Sequence, residues 1–199
     1  MAHRLAIRSI IASRATDSRS NGTTMIIPGF LISLVTFPGV IVHELAHVVF
    51  CRLTKTPILS VCYFRLGNPA GYVIHERPSS VWRHILIATG PFFVNSLLGI
   101  VLGLALQSMR LDLDNPTTGT ALLLWLAVSI AMHSFPSTGD ARSVARAVRS
   151  AEAPITARLV GWPLIAIIFL GALGSVFWLD IIYGFAVVIV IPEFVFGSS

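Results

Sequence analysis

Residues that combine metal-binding and acid–base chemistry stand together early in the chain, in the pattern His43-Glu44-Leu45-Ala46-His47. On a helix, residues four apart lie one above the other, so both imidazoles can face one metal ion. Glu44 is turned by about 100° around the axis, beside the metal and not bound to it. Its carboxylate can there take a proton from a water molecule that the metal activates. The pattern therefore predicts zinc held by His43 and His47, with Glu44 as the general base of a hydrolase.

The motif lies in strongly apolar surroundings. The 199 residues are 55% hydrophobic and only 12% charged, and apolar stretches recur at the length that crosses a hydrocarbon core of roughly 30 Å. We therefore expect an all-α, multi-pass membrane protein. Insertion of a carboxylate at a span centre costs about 2.5 to 3.5 kcal/mol, so an acid between two histidines there indicates a functional site. The formal charge of +5 is spread over short loops, which favours a lipid bilayer over nucleic acid as the partner.

Five apolar stretches are predicted to be transmembrane helices, with four spans as the alternative. Pro38 should kink the first of them, one turn before His43. Most arginines fall in the loops after the first and third spans, so the positive-inside rule places these loops, and the motif, at the cytoplasmic side of a cell membrane. The stretches cover about residues 25–53, 81–109, 118–135, 156–178 and 181–196.

Two segments outside the spans have a different character. Residues 57–76 place β-forming residues on both sides of Gly67-Asn68-Pro69-Ala70-Gly71, which predicts a β-hairpin close to the membrane. The first 24 residues are rich in arginine and serine, as in an interfacial helix, a targeting segment or a disordered tail. The predicted organisation is a basic tail, a core and a C-terminal pair of transmembrane segments, over residues 1–24, 25–154 and 155–199.

A catalytic zinc site needs a third protein ligand beside the two histidines. His133 and Asp140 are favoured, because both follow the third span, where the chain returns to the side of the first histidines. Asp180 is expected near the opposite membrane face. Asp140 has an alternative role as a cap of the helix that follows it, and we expect one residue not to serve both roles. The remaining candidates are His75, Glu76 and His84.

Together these features resemble the site-2 protease family of intramembrane zinc metalloproteases. In that family a helix with HExxH is followed by a membrane-associated β-hairpin, then by Gly-Pro-x-x-Asn on a second helix. The third helix ends in Asn-x-x-Pro-x-x-x-Leu-Asp-Gly, whose Asp is the third zinc ligand. This chain has the same order over about residues 25–141, but Asn95 comes one residue later, His133 replaces Asn and one residue is missing before Asp140. The matching segments are Gly90-Pro91-Phe92-Phe93-Val94-Asn95 and His133-Ser134-Phe135-Pro136-Ser137-Thr138-Gly139-Asp140.

The resemblance implies a three-helix zinc-protease core and an endopeptidase that cleaves transmembrane protein substrates. It implies His43, His47 and Asp140 as zinc ligands and Glu44 as the catalytic residue, with His133 as the rival third ligand. Asn95 stays outside this set, since it either donates to a substrate carbonyl or bridges two helices. Two alternatives keep the metal without proteolysis: an ion transporter, and an adaptor or chaperone derived from the same fold.

Overall fold

The described part of the chain is mostly helical and carries one small antiparallel sheet. The structure, a computed structural model, describes residues 29–109 and 116–196. The predicted tail at 1–24 and the start of the predicted first span lie outside the described residues. In chain order the elements are α1 (Gly29–Val35), α2 (Phe37–Leu53), β1 (Ile58–Cys62), β2 (Tyr72–His75), α3 (Val81–Ser108), α4 (Thr118–Met132), α5 (Thr138–Val148), α6 (Ile155–Gly174), a 3₁₀ turn (Ser175–Phe177), α7 (Leu179–Phe185), a π-helical turn (Ala186–Val190) and α8 (Ile191–Phe196).

The first predicted span is divided at Thr36, about two helical turns before the His-Glu motif. Helix α1 ends at Val35, and α2 begins at Phe37 after the non-helical Thr36, with Pro38 in its first turn. Proline is well tolerated there, because the first N–H groups of a helix have no partner within it. Instead of the predicted kink at Pro38, the structure has a helix boundary at Thr36, two residues earlier.

The predicted hairpin is confirmed. Strand β1 pairs antiparallel with β2, with Cys62 opposite Tyr72 and Ile58 opposite His75. Both strands contact α2. Because an isolated two-stranded hairpin is marginally stable in water, this contact helps to hold the hairpin in place.

Helix α3 is the central element, and its two halves have different neighbours. Its 28 residues extend about 42 Å. Val81 and Ile85 of the first half belong to a buried cluster with Val144 of α5 and residues of α6. Leu106 of the second half is buried with residues of α4 and of the π-helical turn. The middle of α3 lies between these two clusters. Residues of α2, α4 and α5 can therefore meet at one site beside it.

Small residues let the second half of α3 approach its neighbour closely. A Cβ added at Gly103 would lie 2.2 Å from the backbone oxygen of Val188, and one at Gly99 would lie 2.8 Å from Ala131 Cβ. The spacing Gly-x-x-x-Gly is the one that lets helix backbones touch. Larger side chains at these positions would push the helices apart.

Two of the described helices, α3 and α6, are long and apolar enough to cross a membrane. Helix α4 is apolar too, but it has only 15 residues. Helix α6 packs mainly against α5, whereas α7 packs against α4 and the π-helical turn packs against α3. The last two predicted spans therefore pack against different parts of the bundle.

Candidate metal centre

Helix α2 presents two imidazoles on one face, as the spacing predicts. The rings of His43 and His47 lie edge to face, with centroids 5.0 Å apart. The helix runs from Phe37 to Leu53 without interruption, so the separation of four residues places one ring a turn above the other. His47 is only 6% exposed.

A backbone carbonyl orients each imidazole. His43 Nδ1 donates to the backbone oxygen of His133 over 2.7 Å, and His47 Nδ1 donates to that of Ile87 over 2.9 Å. A carbonyl can only accept a hydrogen bond, so each ring carries its proton on Nδ1 when neutral. The Nε2 lone pairs are then free for a metal, which is the usual arrangement of metal-binding histidines.

Asp140 adds a carboxylate from the start of α5. Its Oδ1 lies 3.6 Å from His47 Nε2, and one potential ligand atom from each of His43, His47 and Asp140 lies within 4.8 Å of the others. The structure thus brings together the three residues that the resemblance implies as ligands. They come from two helices, α2 and α5, that are far apart in the sequence.

The second oxygen of Asp140 belongs to a capping box. Asp140 Oδ2 accepts hydrogen bonds from Ser137 N over 2.8 Å and from Ser137 Oγ over 2.6 Å, and Ser137 Oγ accepts from Asp140 N. The expectation that Asp140 could not serve both the helix end and the metal group is wrong. One oxygen holds the helix terminus while the other faces His47.

Opposing effects act on the charge of Asp140. Burial raises the pKa of its carboxyl, but His47 and the hydrogen bond from Ser137 stabilise the ionised form. These attractions outweigh burial, so the pKa of Asp140 lies below its ordinary value. The carboxylate is therefore ionised at neutral pH, which is the state that a metal ligand needs.

The ring of His133, the rival third ligand, does not join this group. His133 Nδ1 lies 3.0 Å from the backbone oxygen of Ser129 in its own helix. Its backbone oxygen instead accepts hydrogen bonds from His43 Nδ1 and from Asn95 Nδ2. Within the described residues, His133 is thus placed to support His43 through its main chain.

Asn95 bridges α3 and α4, one of the two roles expected for it. It is fully buried, and its Nδ2 donates to the backbone oxygens of Ile130 and His133, each over 3.1 Å. These carbonyls lie at the C-terminal end of α4, where the last C=O groups lack helical partners. Asn95 therefore fixes the helix end that orients His43.

The turn of the hairpin lies over Glu44. Glu44 is 8% exposed, and a Cβ added at Gly71 would stand 2.6 Å from Glu44 Cγ and 3.0 Å from Glu44 Oε1. The added Cβ would also lie 2.9 Å from the backbone oxygen of Tyr63, so a residue without a side chain fits best there. Strand β2, which starts at Tyr72, therefore begins directly above this carboxylate.

One cavity of about 1370 Å³ contains the whole group. This volume exceeds that of pockets for small ligands, which is about 300 to 1,000 Å³. Strand β2 and α5 form part of its walls, and Asp180 lines it as well. We expected Asp180 near the opposite membrane face, away from the histidines. This expectation is wrong, because Asp180 lines the same cavity and interacts electrostatically with His133.

Some of the groups that orient the candidate metal ligands are hard to recognise in the sequence. The backbone oxygen of Ile87 and that of His133 have no signature in the sequence, because every residue type carries a carbonyl. Ser137 had a detectable signal: a serine three residues before an acidic residue is a capping-box pattern. The predicted candidates His75, Glu76 and His84 line the same cavity but stand apart from the group that could hold a metal.

Comparison with known protein families agrees with this geometry. No curated protein and no solved structure matches the chain. The family model DUF3267, described as "Putative zincin peptidase", matches residues 36–153, a stretch that includes the His-Glu motif, the hairpin and Asp140. As this match covers more than half of the chain, the protein belongs to the DUF3267 family of zincin-type peptidases.

Proposed function

We propose that this protein is an intramembrane zinc metalloendopeptidase that hydrolyses peptide bonds of membrane-embedded proteins, at the cytoplasmic side of a cell membrane. One observation carries the proposal: the candidate ligand atoms of His43, His47 and Asp140 lie within 4.8 Å of one another, with Glu44 on the same helix. Membership of a zincin peptidase family supports it.

The donor set fits zinc. Two imidazole nitrogens and one carboxylate oxygen form a set that catalytic zinc takes, with a fourth position left open. Both imidazoles have the tautomer that leaves Nε2 free, and Asp140 is held ionised. Zinc in that position supplies a Lewis acid, which lowers the pKa of water toward 7 and polarises the scissile carbonyl.

Glu44 is the proposed general base and acid. Its carboxylate accepts a proton from the attacking water and passes it to the leaving amine. Gly71 and the hairpin turn lie against its side chain, which restricts the positions that the carboxylate can take. The hairpin therefore serves to position the residue that moves the proton.

The edge of β2 is the proposed place for the substrate backbone. In the described residues β2 pairs only with β1, and Tyr72, Val73, Ile74 and His75 all line the cavity. An extended peptide can add to such an edge through main-chain hydrogen bonds. A substrate helix that unwinds in the membrane loses its internal hydrogen bonds, and this edge offers replacements.

A bilayer is the proposed surroundings of the helices. Large apolar side chains project outward from three of them, with Leu97 62% exposed, Leu170 65% and Phe194 85%. Many other large apolar side chains of α6 are exposed as well, and an exposed apolar face of this kind marks a membrane or protein interaction site. Leu97 and Leu170 lie on α3 and α6, the helices long enough to cross a membrane.

The test is zinc content and cleavage, measured on the same purified protein. The full chain in detergent micelles is analysed for bound zinc and for cleavage of a transmembrane reporter, as wild type and as Glu44→Gln. We expect zinc in both and a loss of cleavage of at least about 100-fold in the variant. Glu152→Gln is the matched control, because Glu152 is exposed and lies outside the cavity.

Other outcomes would favour a different function. Bound zinc without cleavage that depends on Glu44 would refute the peptidase and favour a metal-binding transporter or adaptor. A chain purified without zinc, and unable to take it up, would refute the metal centre itself.

A further inference from the structure

Two cations at one end of the cavity have no anionic partner. Arg77 and Arg146 are exposed and line the cavity. Among residues 29–109 and 116–196, neither guanidinium makes a hydrogen bond or has a carboxylate within 4.0 Å. Glu76 also lines the cavity and adds one negative charge. The two arginines therefore leave this end of the cavity with a net positive charge.

Two histidines stand beside these arginines. The rings of His75 and His84 have centroids 6.4 Å apart, and both line the cavity. His84 Nε2 is buried and has no hydrogen-bond partner among the described residues. The His84 ring interacts electrostatically with Arg77, Arg146 and His75. A buried polar atom without a partner is costly, but Nε2 has almost no exposed surface, so a ligand in the cavity would reach it only after the ring turns.

The distance from this end to the candidate metal ligands follows from α5. Asp140, Ser143 and Arg146 all line the cavity, and Ser143 Oγ lies 3.5 Å from His84 Nδ1. Six helical positions separate Asp140 from Arg146, which is about 9 Å along the axis. An extended peptide advances about 3.3 Å per residue, so this distance corresponds to about three residues of substrate.

We infer that His75, Arg77, His84 and Arg146 form a subsite for an acidic side chain of the substrate, about three residues from the bond that is cleaved. The inference rests on the proposed peptidase function. An aspartate or glutamate there would meet two unpaired guanidinium groups. A lipid headgroup is the less suitable anion, because both arginines line the cavity that contains the candidate ligands.

The test compares two reporters that differ in one side chain. Transmembrane reporters carry Glu or Gln at the third residue from the mapped cleavage site, on each side in turn, and kcat/KM is measured for wild type, Arg146→Gln and Arg146→Glu. We expect wild type to prefer the Glu reporter about tenfold, as suits one charge-assisted hydrogen bond. Arg146→Gln should reduce this preference, because it removes one of the two guanidinium groups that line this end of the cavity. Arg146→Glu should prefer a Lys reporter.

Arg149→Gln is the matched control. Arg149 lies on the same basic segment, but its guanidinium stacks on Trp162 at 5.2 Å from the ring centroid, outside the cavity. This variant should keep the preference for Glu. A preference that stays undiminished in Arg146→Gln, or equal cleavage of both reporters by wild type, would overturn the subsite.

Two further measurements separate the possible failures. Binding of the Glu and Gln peptides to the Glu44→Gln variant is measured by fluorescence anisotropy. Tighter binding of the Glu peptide supports the subsite even if no cleavage is found, in which case only the peptidase function fails. If Arg146→Gln instead slows both reporters equally, and only in vesicles with anionic lipid, the arginine contacts headgroups and the subsite is refuted.

Discussion

Ser137 offers the sharpest test of how the candidate metal centre is held, because its hydroxyl serves two neighbours. Ser137 Oγ donates to Asp140 Oδ2 over 2.6 Å and accepts from Asp140 N over 3.2 Å. The first hydrogen bond orients the carboxylate, and the second caps α5. Replacing Ser137 by alanine removes both, whereas the hydrogen bond from Ser137 N to the carboxylate remains.

The two losses have different expected magnitudes. Loss of a serine N-cap to alanine costs about 1 kcal/mol of stability, but replacement by glycine costs only a few tenths. Removing a partner that orients a metal ligand lowers metal affinity about 10- to 100-fold. As one hydrogen bond to Asp140 Oδ2 survives, we expect a loss of about tenfold, the lower end of that range. Ser137→Gly should therefore lose zinc affinity as Ser137→Ala does, while its stability stays close to wild type.

The assay measures affinity and stability separately. Zinc affinity is measured by competition with a chelating dye, and thermal unfolding is followed in detergent on the metal-free protein, because bound metal would itself raise stability. Ser137→Thr, which keeps the hydroxyl, should have the zinc affinity and the stability of wild type. Ser150→Ala is the control, since Ser150 Oγ donates to the Ala147 oxygen at the other end of the same segment. If Ser137→Ala and Ser137→Gly both bind zinc as tightly as wild type, Asp140 does not hold the metal in the way that its geometry indicates.

Three other predictions concern the hairpin, the helix bridge and the metal. Gly71→Ala should lower cleavage with zinc content unchanged, because the added Cβ meets the Glu44 side chain. The control Gly67→Ala, where the nearest atom would be 3.8 Å away, should cleave as fast as wild type. Equal cleavage rates for Gly71→Ala and Gly67→Ala would refute the role of the hairpin. Asn95→Leu should lower the free energy of unfolding by about 2 kcal/mol, because two hydrogen bonds to carbonyls at the end of α4 are lost; an unchanged unfolding midpoint would contradict the bridge. A chelator should abolish cleavage, and zinc should restore it. The chelator should also lower the unfolding temperature of wild type but not that of His43→Ala. Cleavage that resists the chelator would exclude a metal mechanism.

Local rules predict the parts of the site that lie within one element. The spacing of His43 and His47 places both rings on one face of any helix, so their juxtaposition in α2 needs no knowledge of the fold. Turn-forming residues at 67–71 between β-forming segments were enough to predict the hairpin, which the strand pairing confirms. In both cases the determining interactions join residues that are close in the sequence.

Contacts between distant elements are harder to predict, as Asp140 and Asp180 show. The sequence offers Asp140 either as a helix cap or as a ligand, and only the directions of its two oxygens, toward Ser137 and toward His47, show that it can do both. If each apolar stretch is a full membrane crossing, Asp180 falls at the far membrane face. The 3₁₀ turn at Ser175–Phe177 and the left-handed Trp178 instead place it in the lining of the cavity.

The use of main-chain carbonyls to orient both histidines has a consequence for how this site tolerates mutation. A side chain that orients a ligand can be lost in a single substitution, but every amino acid at position 87 or 133 still supplies the oxygen that His47 or His43 requires. The hydrogen bonds to the two histidines therefore do not depend on the side chains at these positions, although packing still constrains the buried Ile87. The vulnerable features are those that set this path: buried Asn95, and Gly39, where an added Cβ would lie 1.8 Å from the Ser129 oxygen. Inactivating substitutions should therefore cluster where helices touch as well as at the ligands.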